Sequence, residues 1–156
     1  IHHLSQDIAR HLLARNSTII YGGDFRPGGF TEIILDEALV LKSRLKNKEI
    51  THIKNYIAWP IYNKNDDYNK EWISKYWDVA DRIKVECADD LEDLVLDKNA
   101  FFLPNYPQNS YIWSRCLTKM RNKMISDCNV RICAGGRQFD YSGIMPGILE
   151  EIGMTI

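Results

Sequence analysis

Residues Arg131–Ile152, RICAGGRQFDYSGIMPGILEEI, decide the fold. Ile132-Cys133-Ala134 is a short apolar run that reads as a strand. Gly135-Gly136-Arg137 interrupts it. A loop with Tyr141, Gly143, Pro146 and Gly147 follows, and Ile148-Leu149-Glu150-Glu151 reads as the first turn of a helix. A strand, a glycine turn and a helix N-terminus in that order can hold an anion, because the first N–H groups of a helix lack internal acceptors. The glycines admit a ligand close to the backbone. Arg137 offers a planar donor fork to a phosphate or carboxylate. An ordinary strand–helix turn that binds nothing has the same pattern, so the stretch alone leaves both open.

Just upstream, Ser110 to Asp127 reads as a helix, with Ile112, Cys116, Leu117, Met120 and Met124 along one side. Arg121 stands out among its charges, since this helix can lie beside the strand Val130–Ala134. Further back the pattern repeats. Thr18-Ile19-Ile20-Tyr21 is a β-branched run typical of a buried strand. It enters Gly22-Gly23-Asp24-Phe25-Arg26-Pro27-Gly28-Gly29-Phe30-Thr31, and Glu32 to Lys42 follows as a helix that Thr31 can cap. The two glycine loops therefore both follow strands. Alternating strands and helices predict an α/β fold, a Rossmann-like three-layer sandwich with a mostly parallel sheet. Ligands of such sheets bind outside the carboxyl ends of the strands, where both loops are expected.

The remaining segments fill in that plan. Leu4, Ile8, Leu12 and Leu13 mark one face of a first helix. Tyr56-Ile57-Ala58-Trp59-Pro60 reads as a strand that the proline stops. Asn63 to Lys70 is the least ordered stretch by composition. Trp72, Tyr76 and Trp77 fall at helical spacing and read first as a helix packed on the sheet, although aromatic side chains could also stack on a base. Ile83-Lys84-Val85 is a brief strand. Asp89, Asp90, Glu92 and Asp93 read as a solvated acidic face or a helix start rather than a metal site.

Composition narrows the class. A chain of 156 residues fits one domain over 1–156. With 45% hydrophobic and 26% charged residues it is an ordinary globular sequence. A net charge of −1 argues against nucleic acid as a partner, because non-specific binding rests on excess positive charge. No apolar run is long enough for a membrane span. The first residues, Ile1-His2-His3-Leu4, fall inside an amphipathic pattern and do not start with Met, so the sequence reads as a piece of something longer. The four cysteines, Cys87, Cys116, Cys128 and Cys133, form no CxxC pair. They read as reduced thiols of a cytoplasmic protein, with Cys133 buried in its strand, and neither a metal nor a cofactor is expected.

IIYGGDFRPGGFTE paired with RICAGGRQFDYSGIMPGILEE, and preceded by the helix LTKMRNKMISDCN, resembles the SLOG superfamily. That resemblance spans about Leu4 to Ile152. It implies a Rossmann-like fold whose outermost strands lie before Ile1 and after Ile156. The superfamily includes LOG and lysine-decarboxylase-like phosphoribohydrolases, DprA/Smf proteins, and sensor domains fused to TIR, SIR2 or other effectors in prokaryotic defence.

The resemblance implies two kinds of function. In the phosphoribohydrolases a PGGxGTxxE motif binds phosphate and supplies a catalytic glutamate, paired with an arginine of the preceding helix. Glu151 takes that glutamate position and Arg121 lies within a residue of the arginine position. Ile148 stands where the motif has threonine, and Gln138–Met145 is inserted. In the sensors, glycine loops hold a nucleotide-derived messenger such as a cyclic ADP-ribose isomer without cleaving it, and the form GGR…YSG…PGxxEE is more similar to these. Arg26 and Arg137 would then hold a pyrophosphate. Glu150 or Glu151 would accept from ribose hydroxyls, and Tyr141 or Phe30 would stack on a base. Gly22, Gly23, Asp24, Gly28, Gly29, Thr31, Gly135, Gly136, Gly143, Pro146 and Gly147 complete the expected ligand-binding set. The expected partners are that small molecule, a fused or associated effector, and further copies of the chain as a homo-oligomer. An assembly module that binds no ligand is a third reading.

Overall fold

The computed structural model describes residues 2–23, 28–44, 53–136 and 138–156. Among the described residues, helix and strand alternate through the first half as α1 (His2–Ala14), β1 (Ile19–Gly22), α2 (Phe30–Arg44), β2 (Ile53–Ala58), α3 (Asp67–Tyr76) and β3 (Ala80–Val85), with α4 (Pro107–Ser126) and α5 (Gly147–Gly153) after them. The strands form one sheet in the order β1-β2-β3. β1 and β2 are parallel, with Ile19 beside Ile53 and Tyr21 beside Asn55. This is the Rossmann-like α/β class that the strand–loop–helix alternation predicts. Two compact units divide the chain: 1–56 with 65–83, and 57–64 with 84–156.

In the first unit, Leu35 and Ala38 on α2 and Ala9 and Leu13 on α1 are buried, and α1 packs on α2. The contact is closed by Glu37, which accepts from Gln6 at 2.6 Å and from Arg10 at 3.1 and 3.0 Å. The buried face of α1 is thus Ser5, Ala9 and Leu13, while Leu4 is exposed, a rotation of the face expected from leucine spacing. α2 starts at Phe30, so Thr31 lies inside its first turn, buried, rather than capping it. Asn63 to Lys70 is more ordered than its polarity suggests. Its polar residues are end groups of short elements: Asp66 caps α3 by accepting from the Asn69 N–H at 2.8 Å, and Asn69 itself is buried. Trp72 and Tyr76 pack edge to face inside, with centroids 4.9 Å apart, and Trp77 faces out. Tyr76 donates to Asp36 at 2.7 Å.

In the second unit, β2 ends before Trp59, whose N–H donates to Val85 O at 2.9 Å and whose indole N–H donates to Lys98 O at 2.7 Å. The acidic run forms a short turn whose carboxylates pair with α4: Asp89 with Lys119 at 2.7 Å and Asp90 with Arg115 at 2.8 Å. α4 buries Ile112, Cys116, Met120 and Met124, the side that periodicity predicts. One expected strand does not form. Residues 130–136 have no regular structure, and Val130, at 79% exposure, Ile132 and Cys133 face solvent. A strand is stable only when a neighbouring ladder takes its N–H and C=O groups, and none of the described strands pairs with this stretch. The apolar composition that marks a strand in the sequence is therefore left uncovered, and Cys133 is exposed instead of buried.

Candidate functional site

The site residues expected from the second loop gather where α5 meets α4. α5 is only seven residues long, with Pro146 at its cap position and Gly147 as its first residue. The Pro146 carbonyl accepts from the Glu150 N–H at 3.1 Å, which closes the first turn. Glu150 then points into the unit and is 7% exposed. Its two oxygens are both taken: the Thr118 hydroxyl donates to Oε1, and Arg121 Nη1 donates to Oε2. Arg121 and Thr118 sit three residues apart on α4, one turn of the same face.

Glu151 forms the second half of this network. Arg131 Nη1 donates to its Oε2, and Arg121 Nε lies 3.7 Å from its Oε1, an ion-pair distance but not a hydrogen bond. The Nε atoms of Arg121 and Arg131 are buried without an acceptor among the described residues. Burial pushes the Glu151 carboxyl above its ordinary value; Arg131 and Arg121 oppose the shift, and the neighbouring Glu150 charge adds to it. Two guanidinium groups thus face two carboxyl groups.

Glycine at 147 has a definite reason. A Cβ there would lie 2.7 Å from Arg121 Nη2 and 3.3 Å from Cζ, so the guanidinium comes this close to the backbone only because that position has no side chain. A Cβ at Gly143 would meet Arg121 Nη1 at 3.1 Å. These two loop glycines make room for an arginine of the chain itself. Gly135 and Gly136 lie in the irregular stretch with positive φ, and Tyr141 is exposed on the loop. Arg137 lies outside the described residues.

The first loop is built differently. Gly22 ends β1, and the Gly23 N–H donates to Tyr56 O at 3.2 Å, carrying the parallel ladder one step past the strand. The Gly28 N–H donates to Glu32 Oε2 at 2.6 Å, and Gly29 O accepts from Ile33 at 3.4 Å. The Phe30 ring packs on Tyr21 with centroids 5.2 Å apart, which engages it in the fold as well as leaving it partly exposed. Asp24 and Arg26 lie outside the described residues.

Relative to the expectations, Arg121 is brought to the acidic pair, but its hydrogen bond goes to Glu150 and not to Glu151. Two participants went unassigned in the sequence, Thr118 and Arg131. A signal existed for each: Thr118 precedes Arg121 by one helical turn, and Arg131 opens the deciding stretch. Among the described residues no group of three or more His, Cys, Asp or Glu side chains is placed to hold a metal ion. No described helix is long and apolar enough to cross a membrane.

Comparison with known proteins adds one finding. The family model described as SLOG cluster2 matches residues 1–156, the full length of the sequence. Neither a curated protein nor a solved structure gives a match.

Proposed function

This chain belongs to the SLOG family, and from that membership we propose that it is a sensor domain. It binds a nucleotide-derived messenger, cyclic ADP-ribose-like or ADP-ribose-like, without cleaving it, and so regulates a fused or partner effector in prokaryotic defence. The observation that carries this reading is the closed state of the acidic pair. Thr118 and Arg121 occupy both oxygens of Glu150, and Arg131 holds Glu151. Glycosidic cleavage needs a carboxylate directed at the reacting centre or at its water. Here both oxygens of Glu150 and one oxygen of Glu151 are held by groups of the same chain, which supports binding over chemistry. The glycine loops with Arg26 and Arg137 supply the phosphate contacts in this reading, and association of copies gives the ligand an equilibrium to shift.

The test is thermal shift against AMP, NAD, ADP-ribose and cyclic ADP-ribose isomers, followed by chromatography of each mixture. A ligand that binds only the native state raises the melting temperature by mass action. The expected result is a shift with the ADP-ribose compounds, which are recovered unchanged, and loss of that shift in Arg137→Ala with the unliganded melting temperature retained. Free base in any mixture would overturn the reading.

One observation favours a second reading, a phosphoribohydrolase acting on nucleoside 5′-monophosphates. The Glu151 carboxyl is raised by burial, the direction a general acid requires. In that case AMP yields adenine, and Glu151→Gln retains AMP binding while adenine formation stops.

A further inference from the structure

Away from the acidic pair, α4 brings a second reactive group together. Cys116 is fully buried on α4, and its thiol donates to Cys87 Sγ at 3.9 Å. Cys87 follows β3 and is part-exposed. It lines a cavity of about 140 Å³ with Trp59, Glu86, Asp89, Glu92 and Lys98. Lys119, one turn along α4 from Cys116, donates to Cys87 O at 2.9 Å and ties the two segments. So one cysteine lines the cavity, and the buried thiol of the other lies within contact distance of it. The remaining cysteines have no such arrangement: Cys133 is exposed, and Cys128 bonds its own helix end at Ile125 O.

We propose that Cys87 and Cys116 form an oxidative modification site, in which hydrogen peroxide entering the cavity converts the thiol pair to a disulfide. The chemistry balances in two steps. Cys87 sulfur attacks one peroxide oxygen and the O–O bond breaks; the leaving hydroxide takes the thiol proton as water, and Cys87 becomes a sulfenic acid. Cys116 sulfur then attacks Cys87 sulfur and the S–O bond breaks; hydroxide leaves with the Cys116 proton as a second water, and the S–S bond forms. Two thiols are oxidised and the peroxide is reduced to two waters. The sulfurs, in contact at 3.9 Å, must close to about 2 Å for the bond to form. Burial raises both thiols, Cys116 up to about 12, which slows the attack.

The cross-link would fasten the β3 exit to α4 two residues before Thr118 and five before Arg121, the residues that hold Glu150. The experiment is hydrogen peroxide treatment of the full chain, blocking of free thiols, and peptide mapping without reduction. The Cys87–Cys116 cross-linked peptide should exceed all other cysteine pairings together, and dithiothreitol should remove it. The same treatment in urea should abolish that preference. Cys116→Ser should leave a sulfenic acid at Cys87 that dimedone traps, whereas Cys87→Ser should leave Cys116 an unmodified thiol. Recovery of Cys87 and Cys116 as thiols while Cys128 or Cys133 oxidises would overturn the proposal, as would an equal preference in urea.

Discussion

At the start of α2, Glu32 turns back at the surface to accept from the Gly28 N–H, and its other neighbour is the half-exposed ammonium of Lys75 at 3.8 Å. At the start of α5, Glu150 turns inward and gives one oxygen to Thr118 and the other to Arg121. Both helices follow a glycine loop and both carry an acid in the first turn. The first acid caps a loop and remains hydrated. The second is a buried ion whose partner is supplied by another helix. The same sequence motif is thus a local cap in one place and a tertiary lock in the other, and the two differ in how much stability depends on them.

The largest expected effect lies at the lock. Removing one partner of a buried ion pair leaves an uncompensated charge and costs roughly 3–5 kcal/mol. The Arg121 side chain is 11% exposed and that of Glu150 7%; without Glu150, Arg121 keeps only the looser Glu151 contact at 3.7 Å, so Glu150→Ala should lower the unfolding free energy by about 3 kcal/mol. Urea titration measures it. Glu150→Gln should recover part of the loss, because the amide still accepts from Arg121 or Thr118. A loss under about 1 kcal/mol for Glu150→Ala would place the pair with surface salt bridges and erase the contrast.

The cap should cost far less. Glu32→Ala removes one exposed acceptor from a helix start, worth about 1 kcal/mol or less. Lys75 retains Asp36 at 3.0 Å, so its ammonium is not stranded. If Glu32→Ala proved as damaging as Glu150→Ala, the first loop would also be a lock.

Local patterns made much of this legible. The runs around Ile19 and Tyr56 gave strands, the Ile112–Met124 spacing gave the buried side of α4, and glycine followed by an acidic first turn gave two helix starts. What stayed hidden was partner choice. Val130 and Ile132 have strand composition, yet a strand exists only through its neighbour, and no periodicity reports whether one is present. The sequence likewise places Arg121 near an acidic pair but leaves the selected acid open. That choice follows from the direction in which the first turn of α5 points Glu150, and from Thr118 completing its hydrogen bonds. Gly147 looks like room for a ligand in the sequence, whereas its bare backbone is covered by Arg121.

The smallest effect is a difference of sign with pH. Glu37 on α2 has a lowered folded pKa, first through its hydrogen bond to Arg10. Its contribution is full above the ordinary value of 4.5 and is lost as pH falls through the lower folded value. Glu151 is raised, first by burial. Between 4.5 and its folded value the native chain binds more protons at this group than the unfolded chain does, so its contribution to stability grows as pH falls through that window. The two carboxylates therefore pull in opposite directions on opposite sides of 4.5. Urea midpoints followed against pH should show this in two variants. Glu151→Gln should remove the gain on mild acidification and leave the acid-side loss, and Glu37→Gln should do the reverse. A Glu151→Gln chain that keeps the parental slope above 4.5 would mean that Arg131 and Arg121 outweigh burial at Glu151. The acid beside the lock would then behave like the ion-paired carboxylate on α2.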